Sequence, residues 1–247
     1  MHMPKIKPYY TGWPHDDFVM SPAFFALIPA AGAGARAGAA VPKQYASLLG
    51  KPMLLHTLAA FGAVPALNGI HLVVSPEDEW LETLGGKGFP EHCQIHRAGG
   101  ATRAQSVLNG LRAMQAQPTD WVLVHDAARP CITPAMIEGL MAALRDDDVG
   151  GLLALPVPDT VKRADGEGRI AETISREGLW LAQTPQMFRY GVLCAALERF
   201  PELTDEAGAV ERMGLKPKLV AGDIGNIKVT YPTDFALAEM ILAANAG

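Results

Sequence analysis

Short apolar runs suited to buried strands alternate with amphipathic runs suited to helices, and this alternation confines the chain to few folds. Residues 24–29 (FFALIP), 70–75 (IHLVVS), 94–97, 121–125 (WVLVH) and 151–157 read as strands. Between and after them, residues 44–61, 76–84, 102–117, 134–144, 205–213 and 232–244 carry helical spacing or helix-start signals. In 102–117, Val107, Leu108, Leu111 and Met114 fall on one face. In 134–144 the proline stands at the start, where a missing N–H is harmless. Apolar strands alternating with helices predict an α/β, Rossmann-like, mostly parallel sheet with helices on both faces. Ligands on such sheets sit beyond the carboxyl ends of the strands, so the loops after Pro29, Arg97, His125 and Val157 should converge.

One segment breaks the pattern. Residues 158–176 hold two polar, strand-like runs around Asp165-Gly166, a hairpin signal. They lack the apolar residues for a core, so a protruding β-hairpin arm must pack on the domain or embrace a partner. The rest of 23–247 reads as a single domain. Residues 1–22 hold prolines, tyrosines and Asp16-Asp17 but no apolar h-region, and predict a loosely ordered extension rather than a signal or transit peptide.

Composition narrows the partners. A formal charge of −5 without a basic block argues against nucleic acid. No apolar run approaches the roughly 20 residues of a membrane span. Cys93, Cys131 and Cys194 are odd in number and far apart, which fits a reducing cytoplasm rather than a disulfide framework. His92, Cys93 and His96 resemble metal ligands, but on an extended strand His92 and His96 would lie about 13 Å apart at ~3.3 Å per residue, too far to share an ion.

The loop after the first strand reads Pro29-Ala30-Ala31-Gly32-Ala33-Gly34-Ala35-Arg36-Ala37-Gly38. Small residues there let backbone amides approach a phosphate. Gly32, Gly34 and Ala37 fit a dinucleotide fingerprint, but the ribose-binding acid expected about 20 residues on is missing. No Asp or Glu occurs between Phe18 and Pro76, while Arg36, Lys43 and Lys51 do. Unbalanced cations beside a Gly-rich loop suit a triphosphate; the alternative is a flexible turn with solvated cations.

Pro29-Ala30-Ala31-Gly32-x-Gly34-x-Arg36 followed by Pro42-Lys43-Gln44-Tyr45 resembles the signature of the 2-C-methyl-D-erythritol 4-phosphate cytidylyltransferases. The resemblance continues through Gly99-Gly100-x-x-Arg103-x-x-Ser106, Val124 to Pro130, Asp159-Thr160-x-Lys162, Arg176, Thr184-Pro185-Gln186, Thr204 to Ala207 and Asn226 to Thr230. It therefore reaches from Phe24 to the C-terminus of a nucleotidyltransferase domain. Two positions depart from the family pattern: Ala35, where a second basic residue is expected, and Ala101, where an acid is expected.

The resemblance implies attack by a phosphate-monoester oxygen on the α-phosphorus of CTP, with pyrophosphate leaving. Arg36, Lys43 and Lys228 would be catalytic, with solvated surface cations the alternative for the first two. Ala30, Ala31, Gly32, Gly34, Gly100 and Ser106 would bind the nucleotide, with Arg103 beside them either a participant or a surface residue. Asp126, at the end of a strand, would bind Mg²⁺, because a bare carboxylate repels a triphosphate; a helix N-cap or an Asp126–Arg129 ion pair is the alternative. Asp223 is a candidate second ligand or a turn residue. Arg129, Thr160, Arg176 and Thr184, together with Lys228, would hold the acceptor phosphate and hydroxyls. An acceptor phosphate is already anionic and needs no general base, so His125 is assigned to structure. By the same resemblance the 158–176 arm crosses into a second subunit of a homodimer; otherwise its charges pair across an exposed hairpin. Competing readings are a cytidylyltransferase for another polyol phosphate such as ribitol 5-phosphate, an NAD-dependent oxidoreductase, and a regulator without catalysis.

Overall fold

The computed structural model describes residues 21–32 and 41–245. Strand β1 (Phe24–Pro29) leads, after the loop, to a 3-10 turn (Lys43–Tyr45) and a two-residue ribbon of β2 (Ser47–Leu48) and β3 (Lys51–Pro52). There follow α1 (Met53–Gly62), β4 (Gly69–Val73), α2 (Trp80–Thr83), β5 (Cys93–His96), α3 (Arg103–Ala113), β6 (Trp121–Val124) and α4 (Pro134–Leu144). The chain continues through β7 (Gly150–Pro156), β8 (Val161–Ala164), β9 (Ile170–Ile174), β10 (Trp180–Arg189), α5 (Tyr190–Arg199), α6 (Glu206–Arg212), β11 (Lys218–Ala221) and α7 (Pro232–Asn245).

Seven strands form one sheet in the order β11-β7-β10-β6-β1-β4-β5. The pairs β1–β4, β1–β6, β4–β5 and β11–β7 are parallel, as the alternation implied. Strand β10 runs antiparallel to both β6 and β7. Its direction follows from the arm: the chain leaves the sheet along β7, turns through β8 and β9, and returns along β10. The pleat divides the apolar side chains. Ala26, Ile28, Leu123 and Met187 join α1 and α4 on one face, while Leu27, Val122, Val124 and Phe188 join α3, α5 and α6 on the other. Each face therefore has its own core, and the central parallel strands β4 and β6 are buried along their whole length while the edge strands β5 and β11 are largely exposed.

Two helical expectations shrink. Residues 44–61 do not form one helix, because Leu49-Gly50 turns the chain with positive φ at both positions, and α1 starts only after Pro52. Within 76–84 only Trp80–Thr83 is helical, with the Leu81 amide donating to Asp78 Oδ1 at 3.1 Å. The hairpin turn is also wider than Asp165-Gly166 alone. Asp165 Oδ1 accepts from the Glu167 and Arg169 amides, and Gly168 adopts φ +78°.

Gly150 opens β7 at φ +104°, a region open to glycine but not to residues with a Cβ, and its α-carbon lies against the β10 backbone at Met187 and Phe188. Gly150→Ala should lower folding stability by roughly 1–3 kcal/mol or more, read as a lower urea midpoint with an unchanged slope.

Candidate active site

Beyond the carboxyl ends of β1, β5 and β6 lies a cleft of about 710 Å³. The loop after β1 gives it Ala30, Ala31 and Gly32; the 3-10 turn gives Lys43 and Gln44; the loop into α3 gives Gly100, Ala101 and Thr102, and the start of α3 gives Arg103 and Ser106. Asp126, Ala127 and Ala128 follow β6, and Lys228 and Thr230 come from the stretch before α7. Gly34 and Arg36 lie outside the described residues.

Small residues let the loops meet. A Cβ on Gly99 would strike the Ala31 methyl and stand 2.9 Å from the Val74 carbonyl oxygen. Gln44 Nε2 donates to the carbonyls of Ala30 at 2.8 Å and Gly32 at 3.1 Å, fixing the first half of the Gly-rich loop. In the α3 loop, Thr102 caps the helix by accepting from the Gln105 amide at 3.1 Å. Ser106 Oγ accepts from the Gly100 amide at 3.0 Å and donates to the Thr102 carbonyl at 2.9 Å. The Ser106 hydroxyl thus shapes the loop as well as lining the cleft.

The charges form one network. Arg103 Nε donates to Asp126 Oδ1 at 2.7 Å, and Lys228 Nζ reaches Asp126 Oδ2 at 2.7 Å. Arg103 turns its other two nitrogens to Glu206, at 2.7 and 3.1 Å. Arg103 is therefore not a free surface residue, and Asp126 pairs with Arg103 and Lys228 rather than with Arg129. The Arg129 guanidinium turns elsewhere and donates to the carbonyls of Asn226 at 2.7 Å and Ala182 at 3.4 Å. Lys43 Nζ donates to the Val229 carbonyl at 2.6 Å, tying the 3-10 turn to the segment that carries Lys228. Burial alone would raise the Asp126 carboxyl, but Arg103 and Lys228 outweigh it and hold it well below the usual carboxylate range. Glu206 is fully buried, which pushes its carboxyl up against the pull of Arg103.

Beneath the network lies a neutral layer. Thr184 Oγ1 accepts from the Asp126 amide at 3.1 Å and meets His125 Nδ1 at 3.1 Å, and His125 Nε2 lies 3.2 Å from the Arg129 carbonyl. A carbonyl only accepts, so Nε2 carries the proton and Nδ1 accepts from the Thr184 hydroxyl. Thr184 is buried, so it supports the Asp126 backbone instead of facing an acceptor. Asn226, also buried, donates to the Thr184 carbonyl at 2.8 Å and so anchors the Lys228 segment.

The other acceptor candidates lie on the arm. Thr160 and Arg176 are exposed and do not line the cleft of their own chain; Arg176 NH1 donates to the Pro158 carbonyl. Strands β8 and β9 pair only with each other. Exposed Leu179, Trp180 and Leu181 stand at the arm's root and Ile170 on β9. Asp223 is a turn residue whose Oδ1 accepts from the Gly225 amide at 2.6 Å. His96 Nε2 meets His71 Nδ1 at 2.9 Å, not His92, and no group of three or more metal-ligating side chains occurs among the described residues. Sequence reasoning missed Glu206 as a partner of the cleft and Gln44 and Asn226 as its anchors.

Residues 24–244 match the family model described as 2-C-methyl-D-erythritol 4-phosphate cytidylyltransferase. The chain belongs to that family. It is 56% identical over 225 residues to the enzyme of that name from Dechloromonas aromatica, covering 90% of this chain and 99% of the relative. It is 58% identical over 221 residues to the one from Chromobacterium violaceum, covering 89% and 97%. A crystal structure of 4-diphosphocytidyl-2C-methyl-D-erythritol synthase aligns with a TM-score of 0.80 at 40% identity, over 90% of this chain and all of that one. This cytidylyltransferase family member thus shares the α/β fold, and no helix among its described residues is long and apolar enough to cross a membrane.

Burial lowers the pKa of His125 to about 4, against the smaller upward pull of Asp126. Burial, then His96, lowers His71 to about 4 as well. The unfolded chain takes up these protons near pH 6.5 and the folded chain only near pH 4, so stability is full above 6.5 and falls between those values. Urea midpoints should drop steadily from pH 7 to pH 4.5, by an amount on the order of 3 kcal/mol per histidine at the limit, and His71→Gln should flatten the slope.

Proposed function

We propose that this chain transfers CMP from CTP to the phosphate of 2-C-methyl-D-erythritol 4-phosphate, releasing pyrophosphate and forming 4-diphosphocytidyl-2-C-methyl-D-erythritol for isoprenoid precursor synthesis by the non-mevalonate route. The observation that carries this reading is the charge of the cleft. Among the described residues Lys43, Arg103 and Lys228 line it beside a single carboxylate, Asp126, with Glu206 buried behind Arg103, in a chain whose formal charge is −5. A cationic cleft in an acidic protein suits a polyanionic substrate. Ala30 to Gly32 and the 100–106 loop offer the close, small-residue surface a nucleotide needs, and Lys43, Lys228 and Arg36 would neutralise charge on the phosphates. His125, fully buried under the cleft with both ring nitrogens engaged by Thr184 and the Arg129 carbonyl, is not placed to take a proton from a substrate, which agrees with an anionic nucleophile that needs no base.

A magnesium ion fits the residues present. Asp126 is the one carboxylate lining the cleft among the described residues, and Mg²⁺ is usually held by one or two carboxylates together with substrate phosphates and waters. Asp126 would hold the ion, with Arg103 at Oδ1 and half-exposed Lys228 at Oδ2 keeping its carboxylate in place at the cleft. When bound, the ion would neutralise triphosphate charge. The separated free cysteines support a cytoplasmic setting.

We also assign the arm to a homodimer. Thr160 and Arg176 stand away from their own cleft, on a hairpin with apolar residues exposed at its root, so a second copy is their natural counterpart. Arg129 and Lys228 would then meet them across the interface around the acceptor.

CTP with Mg²⁺ and the erythritol phosphate should yield pyrophosphate, whereas ribitol 5-phosphate or ATP should yield far less; equal rates with all four nucleotides would overturn the reading. Lys43→Ala should lower kcat by about 10²–10³ without unfolding the chain, as for one lost preorganised donor. Inactive Lys43→Ala and inactive Arg176→Ala subunits, mixed and allowed to exchange, should regain activity, because heterodimers hold one intact site. Demonstrated exchange without recovery would show that each arm serves its own chain.

A further inference from the structure

Glu206 sits in the first turn of α6, fully buried, and does not line the cleft. Its carboxylate takes both terminal nitrogens of Arg103, leaving only Nε for Asp126 Oδ1. An unopposed guanidinium would instead close on Asp126 with two parallel bonds, the geometry Arg and carboxylate prefer, and so cover both of its oxygens. Glu206 prevents that. The consequence is visible at the other oxygen: Oδ2 is turned away from Arg103 and is held by half-exposed Lys228. Glu206 is itself set from outside the cleft. The Asp205 carboxylate caps α6 through the Gly208 amide at 3.1 Å, and Gln186 on β10 accepts from the Ala207 amide at 2.7 Å and donates to Asp205 at 3.1 Å.

A buried ion pair is a poor source of stability, since apolar residues of similar volume often do as well or better. A geometric task explains this one. We propose that Glu206 is a positioning residue: by occupying the far edge of the Arg103 guanidinium it limits Arg103 to one oxygen of Asp126 and leaves the second to Lys228 at the cleft. The inference rests on the proposed cytidylyl transfer, in which that second oxygen would face the metal-bound triphosphate.

Three proteins test it against wild type: Glu206→Gln, and the double replacements Arg103→Met with Glu206→Met and Arg103→Met with Glu206→Leu. Each is measured for thermal stability, for kcat and CTP KM, and for Mn²⁺ binding in the presence of CTP by electron paramagnetic resonance, a readout independent of turnover. Glu206→Gln should fold, keep its CTP KM within about twofold, and lose roughly 10–100-fold in Mn²⁺ affinity and in kcat, the range for a residue that orients a metal ligand. At least one double variant should be as stable as wild type and, with no Arg103 to cover Asp126, recover part of the Mn²⁺ affinity that Glu206→Gln loses. If the role is only structural, Mn²⁺ affinity and kcat will simply follow thermal stability across the three variants, which overturns the proposal. Wild-type kcat and Mn²⁺ affinity in a folded Glu206→Gln also overturn it. Should wild type bind Mn²⁺ and CTP but release no pyrophosphate, the assigned reaction fails, and the Mn²⁺ comparison still decides the role of Glu206.

Discussion

Three buried polar side chains, Gln183, Thr184 and Gln186, sit where the β7–β10 ladder breaks between Ala182 and Gln186, and the cleft is hung from them. Buried polar groups must find partners, and each of these finds one on a different element. Gln183 donates to the Asp223 carbonyl and so holds the turn before Lys228. Thr184 accepts from the Asp126 amide at the end of β6. Gln186 reaches the start of α6, which carries Glu206. A regular ladder would have aimed successive side chains at opposite faces of the sheet; the break gathers three partners toward one edge.

The network above these anchors explains how an acidic protein can hold a cationic cleft. Each of its two carboxylates is matched by arginine or lysine, so neither stands bare toward an incoming anion. The cations themselves come from three separate segments: Lys43 from the 3-10 turn, Arg129 from the loop after β6, and Lys228 from the stretch before α7. The Lys43 bond to Val229 joins two of them directly.

The parallel strands β1, β4 and β6 were legible because each is a mainly apolar run, and the cleft's position followed from where those runs end, whereas the short, exposed edge strand β11 gave no such signal. Strand β10 was not legible: its middle reads Gln-Thr-Pro-Gln, and its direction depends on the arm before it. Residues 44–61 misled because apolar spacing continues through a turn that only Gly50 and Pro52 betray. Among the site residues, Lys43, Lys228, Gly100, Ser106 and Asp126 come together at one cleft, all carried by motifs in loops. Thr184 looked like a ligand contact because its motif is polar; burial turned it inward. Glu206 looked like an ordinary acid at a helix start, a common position for one, and only the fold brings it to an arginine 103 residues away.

The arm is built as an outgrowth of the sheet. The β7–β10 pairing runs from Phe188–Gly150 out to Trp180–Pro156, and the Val157 amide still reaches the Leu179 carbonyl beyond it. Past that point two short strands support only each other, and an isolated two-stranded hairpin is marginal in water. The arm is thus a cantilever: stiff where it is welded to the core, increasingly compliant toward the Asp165 turn. Protection of its amides from solvent exchange is expected to fall off along its length, and a partner seated on its outer end would restore it.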